Sequence, residues 1–447
     1  MILKNFFDSK LTVLISTVVL ISVAYSFYYH DRPRVDAEAY DAIARNLSEG
    51  HGYVEQRANA TDPAKDDAIV RVGPGYEFFL AAIYKIFGHH IWIVWIIHAL
   101  LRGISMILVY AIAQMLFSSR ESLSLLSATI FGFAPDLIVI NGLLLTETLF
   151  LFLFLSAVYT TLRIFRDEQV ARDPTLYQVC IMGASWALAI LVRPVALLPY
   201  LLILGVFTWR RKFLSAIAVF LPALILIGPW SYYMSNRHDA FILTTTAGGL
   251  DLWVGNNPDA TGGFVKTLEI QEVRNTHHSV EFSKIAWQKY IEFITEKPFE
   301  FLELQWRKTA VYFSLLRPTG FWIHLMGYPW DRFVTLLVSG AYTLFLLVSG
   351  IAGAFLFFLE RKDFRSRLFT AFAALQPIAV IPFIVETRYR YALFPFLAVF
   401  AAFFLLRRPL RGRLLCMVIS ILIFCTAYDI WYNWGDIINK INMALPL

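Results

Sequence analysis

Apolar residues in this chain gather into long runs separated by short polar or basic connectors. Runs approaching the roughly 20 residues that a helix needs to cross a bilayer fall at 11–29, 91–117, 122–140, 146–163, 176–193, 194–209, 213–233, 333–359, 368–385, 391–406 and 414–434. They predict about eleven transmembrane helices. The runs that meet at Asn141 and at Arg193 are nearly continuous, so the boundaries there are soft. The first run, Leu11 to Tyr29, follows Lys4 and Lys10 as a secretion signal would, but it is long enough to span and lacks a clear A-x-A site at its end. It reads as a retained helix.

Two long stretches interrupt this pattern, at about 30–90 and about 235–331. In the first, Asp36 to Ser48 predicts a short helix with Tyr40, Ile43 and Leu47 on one face and Gly50 and Gly52 as its stop. After Pro74, residues 75–87 predict an apolar helix. At about 1.5 Å per residue it covers roughly 20 Å, too little for a ~30 Å core, so it lies at the interface or dips in and returns. In the second stretch, Gly248 to Gly263 reads as a glycine- and asparagine-rich loop, and a helical pattern runs from Phe282 to Phe313 with a break at Pro298. The organisation is an amino-terminal membrane module over 1–234 with its external loop at 30–90, a second external loop region over 235–330, and carboxy-terminal membrane helices over 331–447. No internal repeat is evident, which disfavours transporters built from duplicated halves.

Composition agrees with a lipid-solvated chain. Hydrophobic residues make up 58% and charged residues 16%, against roughly 25% charged in soluble domains. The net charge of +6 does not form a basic domain of the kind that binds nucleic acid. The positive residues sit in connectors: Arg120; Arg163, Arg166 and Arg172; Arg210, Arg211 and Lys212; Arg361, Lys362, Arg365 and Arg367; Arg407, Arg408, Arg411 and Arg413. The loop from Pro135 to Thr146 has no Lys or Arg. The positive-inside rule then puts the amino terminus inside, the carboxyl terminus outside, and both long stretches outside. Cys180, Cys416 and Cys425 lie in apolar spans without ligand spacing and read as small buried hydrophobes. Sequons at Asn46 and Asn59 fall in the first external loop. P-loop, HExxH and GxSxG motifs are absent from the sequence, and the pairs His89–His90 and His277–His278 are not ligand spacings by themselves.

The conspicuous polar residues fall on the external side. Asp36 follows the first helix and serves either as a general base towards a hydroxyl or as a helix N-cap. Glu38 and Asp41 are weaker candidates, since Asp41 can pair with Arg45 at i,i+4. Glu147 opens a helix, where the dipole favours a carboxylate, but it also sits where ionisable groups face a cavity or partner. Arg193, Arg388 and Arg390 break the positive-inside pattern. Arginine forks match phosphate oxygens, so an anionic ligand is one reading, and pairing with Glu386 or lipid headgroups is the other. His98 and Arg102, one turn apart in the second helix, form an intramembrane pair that structure or function explains equally.

Several short pieces, taken in order, resemble the GT-C superfamily of membrane glycosyltransferases, in the bacterial branch near protein O-mannosyltransferases and the lipid A aminoarabinose transferase. They are Asp36-Ala-Glu-Ala-Tyr40 running on through Ile43 and Leu47 to Tyr53, Gly73-Pro-Gly-Tyr76, Leu145-Thr-Glu-Thr-Leu149, Leu191-Val-Arg-Pro194, Leu252-Trp-Val-Gly-Asn-Asn257, and Arg388-Tyr-Arg-Tyr391 with Pro395. The resemblance implies an all-α polytopic fold with external juxtamembrane helices. It also implies an inverting transfer of sugar from a polyprenyl-phosphate donor to a glycan, lipid or protein hydroxyl. The acidic residue after the first helix acts as base in such enzymes. Relatives often carry Asp-Glu adjacently, whereas Ala37 separates Asp36 from Glu38 here, so either fits. Arg193, Arg388 and Arg390 would bind the donor phosphate, with Tyr40, Tyr76, Glu147, Asn256 and Asn257 lining the pocket. Residues 55–70 look like a variable insertion. Metal use differs among such relatives, which leaves a divalent cation open. The expected setting is a bacterial plasma membrane with the site facing the periplasm or exterior. A flippase for a lipid-linked anion and a polysaccharide polymerase or ligase are the alternatives.

Overall fold

The structure, a computed structural model, describes residues 9–55, 72–117, 120–165, 174–277, 279–315, 325, 328–407 and 412–444. Lys4, Asn59, Arg166, Arg172, His278, Arg408 and Arg411 lie outside the described residues, as does the expected insertion beyond Glu55. Helices and turns form the whole of what is described, with no strand among those residues. In chain order the α-helices are α1 (Ser9–Tyr29), α2 (Asp36–Glu49), α3 (Gly75–Phe87), α4 (Ile91–Leu116), α5 (Glu121–Gly132), α6 (Pro135–Asn141), α7 (Glu147–Ile164), α8 (Leu176–Val192) and α9 (Leu197–Trp209). The second half contributes α10 (Phe213–His238), α11 (Gly248–Gly255), α12 (Leu268–Thr276), α13 (Ser279–Glu296), α14 (Pro298–Phe313), α15 (Pro329–Glu360), α16 (Phe364–Val380), α17 (Phe394–Leu405) and α18 (Gly412–Ala444).

Every predicted apolar run is helical, but the runs are not equal. Among the described residues six helices, α1, α4, α7, α10, α15 and α18, are long and apolar enough to cross a membrane alone. The pair α5–α6, bent by 54°, makes a seventh. The other four runs give α8, α9, α16 and α17, of 17, 13, 17 and 12 residues. Helix α17 would extend only about 18 Å, and Phe394 to Phe404 are all buried, so neighbouring helices rather than lipid enclose it.

The bend between α5 and α6 explains the intramembrane pair. Pro135 starts α6 and disfavours helical geometry at Ala134, which strands the last carbonyls of α5 in an apolar setting. Arg102 of α4 donates to the carbonyls of Gly132 and Ala134. One turn earlier, the His98 ring meets the Asn141 carbonyl at 3.3 Å, and the Asn141 amide donates to Ser26 and to the Trp95 carbonyl. His98 and Arg102 thus stitch a broken helix to its neighbour.

Helix termini meet in two sets. Arg365 donates to the carbonyls of Met115 and Leu162, Arg361 stands over Phe117, and Arg210 stands over Phe165 and Phe364. These are the ends that charge assigns to the cytoplasm. At the opposite ends Asp36, Glu147, Arg193 and Arg388 come together, as described below. Among the cysteines, Cys425 is buried and Cys180 partly so, whereas Cys416 is exposed on the outside of α18.

The short helices between the spans are pinned to this bundle. Helix α2 ends at Gly50 in the left-handed region, with φ of 87°. Asp41 does not pair with Arg45: it accepts from the Tyr84 hydroxyl and stands 2.9 Å from His89, while Arg45 bridges to Glu49 at 3.0 Å. Asp41 lies on the face turned to α3, and Arg45 on the solvated one. The Asn46 side chain donates to the Val54 carbonyl. Residues 248–255, expected as loop, form α11, because Trp253 and Val254 bury against Phe282 and Ile384. Its glycines permit that approach, since a Cβ on Gly255 would lie 1.9 Å from the Phe383 carbonyl oxygen.

Close helix contacts in the bundle also rely on small residues. A Cβ on Gly183 of α8 would stand 2.4 Å from the Val219 carbonyl oxygen of α10. We expect Gly183→Ala to force these backbones apart and destabilise the protein by about 1–3 kcal/mol, as overpacking does. Thermal unfolding in detergent measures it, and an unchanged midpoint would show that the contact is slack.

Candidate functional site

Asp36 is the first residue of α2, and no side-chain cap hydrogen bond is made there. The N-cap position belongs to Val35, whose φ of 55° is strained for a β-branched residue. Such strain, on the order of 1–3 kcal/mol, persists only where the surroundings over-determine it. Here it turns the Asp36 carboxylate away from its own helix and onto Arg388, at 2.8 Å. Arg388 lies in the 3-10 turn Thr387–Ala392 that precedes α17, and its Nε also donates to Glu386 at 2.9 Å. One guanidinium therefore bridges two carboxylates. Burial opposes its charge, and Glu386, Asp36 and Glu147 outweigh burial, holding Arg388 well above its ordinary value. The three side chains keep 19–25% of their surface exposed, enough for a ligand to reach them.

A second pair stands beside the first. Glu147, the first residue of α7, meets Arg193 at 3.0 Å where α8 gives way to the short turn Pro194–Ala196. Both side chains are nearly enclosed, and removing one partner of such a buried pair costs about 3–5 kcal/mol. The guanidiniums of Arg193 and Arg388 both stand near the Tyr389 ring, at 5.1 and 5.6 Å from its centre. The Gly73-Pro74-Gly75 turn fixes the end of α8 just before Arg193: a Cβ on Gly73 would lie 2.2 Å from the Leu191 carbonyl oxygen.

The remaining sequence candidates divide. Tyr40 is buried beside this cluster. Burial, then Asp36 and Glu77, push its pKa well above the usual range, so it stays a neutral phenol. Tyr76 packs edge-on against Tyr40 at 5.5 Å and reaches the His98 ring, so it backs the cluster from the core side. Glu38 is exposed, because two residues along a helix point in nearly opposite directions. Arg390 is buried and donates to the Ser314 carbonyl at 3.0 Å, away from Arg388. Asn256 and Asn257 are buried as well, and their amides donate to carbonyls of α11, with Asn256 also reaching Pro382. Among the described residues no group of three or more His, Cys, Asp or Glu side chains is placed to hold a metal ion.

One residue of the cluster escaped sequence reasoning. Asp251, half-buried on α11, feels Glu386, Asp36, Arg388 and Arg193. Burial, with Glu386 and Asp36 adding, raises its pKa from 3.8 to about 7. A raised carboxyl favours the folded state below its unfolded value and loses that contribution as pH rises through the folded one. Asp251→Asn should therefore match wild-type stability near pH 4 and exceed it above pH 7. Unfolding midpoints measured across that range check this; equal midpoints at pH 8 would place Asp251 outside the charged cluster.

Residues 71–233, a little over a third of the chain, match the family described as dolichyl-phosphate-mannose-protein mannosyltransferase. Among curated proteins, none matches the sequence. The fold is similar to that of ArnT from Cupriavidus metallidurans, solved bound to undecaprenyl phosphate, with 14% identity, 97% of this chain and 71% of that one covered, and a TM-score of 0.54. It is also similar to the Archaeoglobus fulgidus oligosaccharyltransferase solved with Zn and sulfate, at 15% identity, 96% and 52% coverage and a TM-score of 0.51. The apo form of that protein gives 14% identity, 98% and 56% coverage and a TM-score of 0.50. The chain spans about half the length of the archaeal protein. With its apolar spans and its buried ion pairs at one end, the chain is an integral, multi-pass membrane protein of the GT-C fold.

Proposed function

We propose that this protein is an inverting glycosyltransferase that moves a sugar from a polyprenyl-phosphate carrier to an acceptor hydroxyl at the outer face of the membrane. The observation that carries the reading is the Asp36–Arg388 contact of 2.8 Å, with Arg193 near the same Tyr389 ring. A base and two phosphate-matching cations are thereby held together. The fold shared with a protein solved with undecaprenyl phosphate bound supports the donor class.

The chemistry follows from the groups present. The acceptor O–H gives its proton to Asp36, and the oxygen forms a bond to the anomeric carbon from the face opposite the carrier. The anomeric C–O bond breaks, and its electron pair leaves on the carrier phosphate. Charge grows on that phosphate, where preorganised guanidiniums lower the barrier. Without donor, Arg388 is shared between Asp36 and Glu386. A phosphate draws it away, and an Asp36 carboxylate that loses its cation becomes a stronger base. Donor binding in this way arms the base.

The positive-inside pattern supports an outer-face site, and a bacterial plasma membrane facing the periplasm fits it. The acceptor is a glycan, lipid or protein hydroxyl. A transport path is less well served, because His98 and Arg102 are engaged with backbone carbonyls.

Asp36→Asn should lower transfer from a radiolabelled polyprenyl-phosphate sugar by about 10²–10⁴-fold, the usual contribution of a general base. It should leave binding of undecaprenyl phosphate intact or tighter, because a competitor for Arg388 is gone. Glu38→Gln should stay close to wild type. Full transfer by the Asp36 variant removes that residue from the base role.

A further inference from the structure

The buried amine of Lys308 has no part in the chemistry above, yet it is tied to the segment that carries Arg388. Lys308 lies on α14 and is fully buried. Its ammonium has three protons to place, and three acceptors receive them: the Asn256 side-chain oxygen, the Phe383 carbonyl at 2.9 Å and the Pro382 carbonyl at 3.2 Å. Asn256 completes the knot by donating to the same Pro382 carbonyl at 2.9 Å, and Gln305, one turn before Lys308, donates to the Asn256 oxygen at 3.0 Å. The segment 382–383 is also pressed from α11, where only a glycine fits at position 255. Ile384 then packs with Trp253 and Val254. Two residues further on stands Glu386, which with Asp36 holds Arg388.

We propose that Lys308 is a positioning residue. Through Asn256 and the 382–383 carbonyls it couples the outer helix α14 to the Glu386–Arg388 segment and sets Arg388 for the donor phosphate. A lysine whose only task was to fill space would be replaced by an apolar side chain at less desolvation cost. Three convergent acceptors instead match the three protons of the ammonium, and they lie at Asn256, just past α11, and on the approach to Arg388. The proposal rests on the transferase reading, because it assigns Arg388 the donor phosphate.

The test compares full-length wild type, Lys308→Met and the milder Gln305→Met in detergent, with undecaprenyl phosphate as probe. Unfolding midpoints first identify which variants fold. The latch predicts that folded Lys308→Met binds the lipid phosphate at least 10-fold more weakly and shows a raised donor KM with the acceptor KM unchanged. Gln305→Met should shift donor affinity the same way by about 2- to 5-fold, and it carries the test if the lysine variant fails to fold. Unchanged donor affinity in a folded variant overturns the latch while leaving the transferase reading intact. If wild type itself binds no lipid phosphate, the donor reading fails and the latch fails with it.

Discussion

Charge at the edge of an apolar bundle has to be paired, and that constraint organises one end of this protein. An unpaired arginine or carboxylate in such a place carries a large desolvation cost. Arg388 meets it with Asp36 and Glu386, and Arg193 meets it with Glu147. The partners come from α2, from the start of α7, from the end of α8 and from the turn before α17, so pairing the charges also fixes where four distant parts of the chain meet. In the proposed transfer these pairs are what a donor phosphate would replace: a phosphate taking Arg388 would leave Asp36 without its cation, so that donor binding and activation of the base would be one exchange.

Local breaks in regular structure put these residues in place. Val35, with φ of 55°, turns Asp36 off its own helix axis. The turn at Pro194 ends α8 where Arg193 can face Glu147. Pro135 bends α5–α6, and Arg102 satisfies the carbonyls that the bend exposes. Glycines at 73 and 255 let backbone approach backbone, at the end of α8 and beside Phe383. Each of these devices decides where a charged side chain ends up.

Much of the fold was legible in the sequence because lipid demands long apolar runs, and each of the eleven runs is helical, the one at 122–140 as a bent pair. Run length alone could not separate helices that span from short ones such as α17, which other helices enclose. The short helix at 36–49 was legible from periodicity and glycine stops and the one at 75–87 from its apolar run after Pro74, whereas α11 was hidden because its glycines serve packing rather than a turn. At the site, residue type pointed to Asp36, Glu147, Arg193 and Arg388, but direction was out of reach. Arg388 and Arg390 sit two apart in a tight turn and diverge, one to Asp36 and the other to the Ser314 carbonyl. Asp251 gave no signal, since a lone acid in a glycine-rich stretch looks solvated until α11 carries it beside Glu386 and Asp36.

The account turns on Arg388 changing partners, and an experimental structure of the protein with a polyprenyl-phosphate donor analogue bound tests this most directly. The account predicts the Arg388 guanidinium on the phosphate oxygens, with the Asp36 carboxylate released from it and facing the anomeric carbon. A phosphate seated elsewhere, with the Asp36–Arg388 bridge still closed at 2.8 Å, would contradict it.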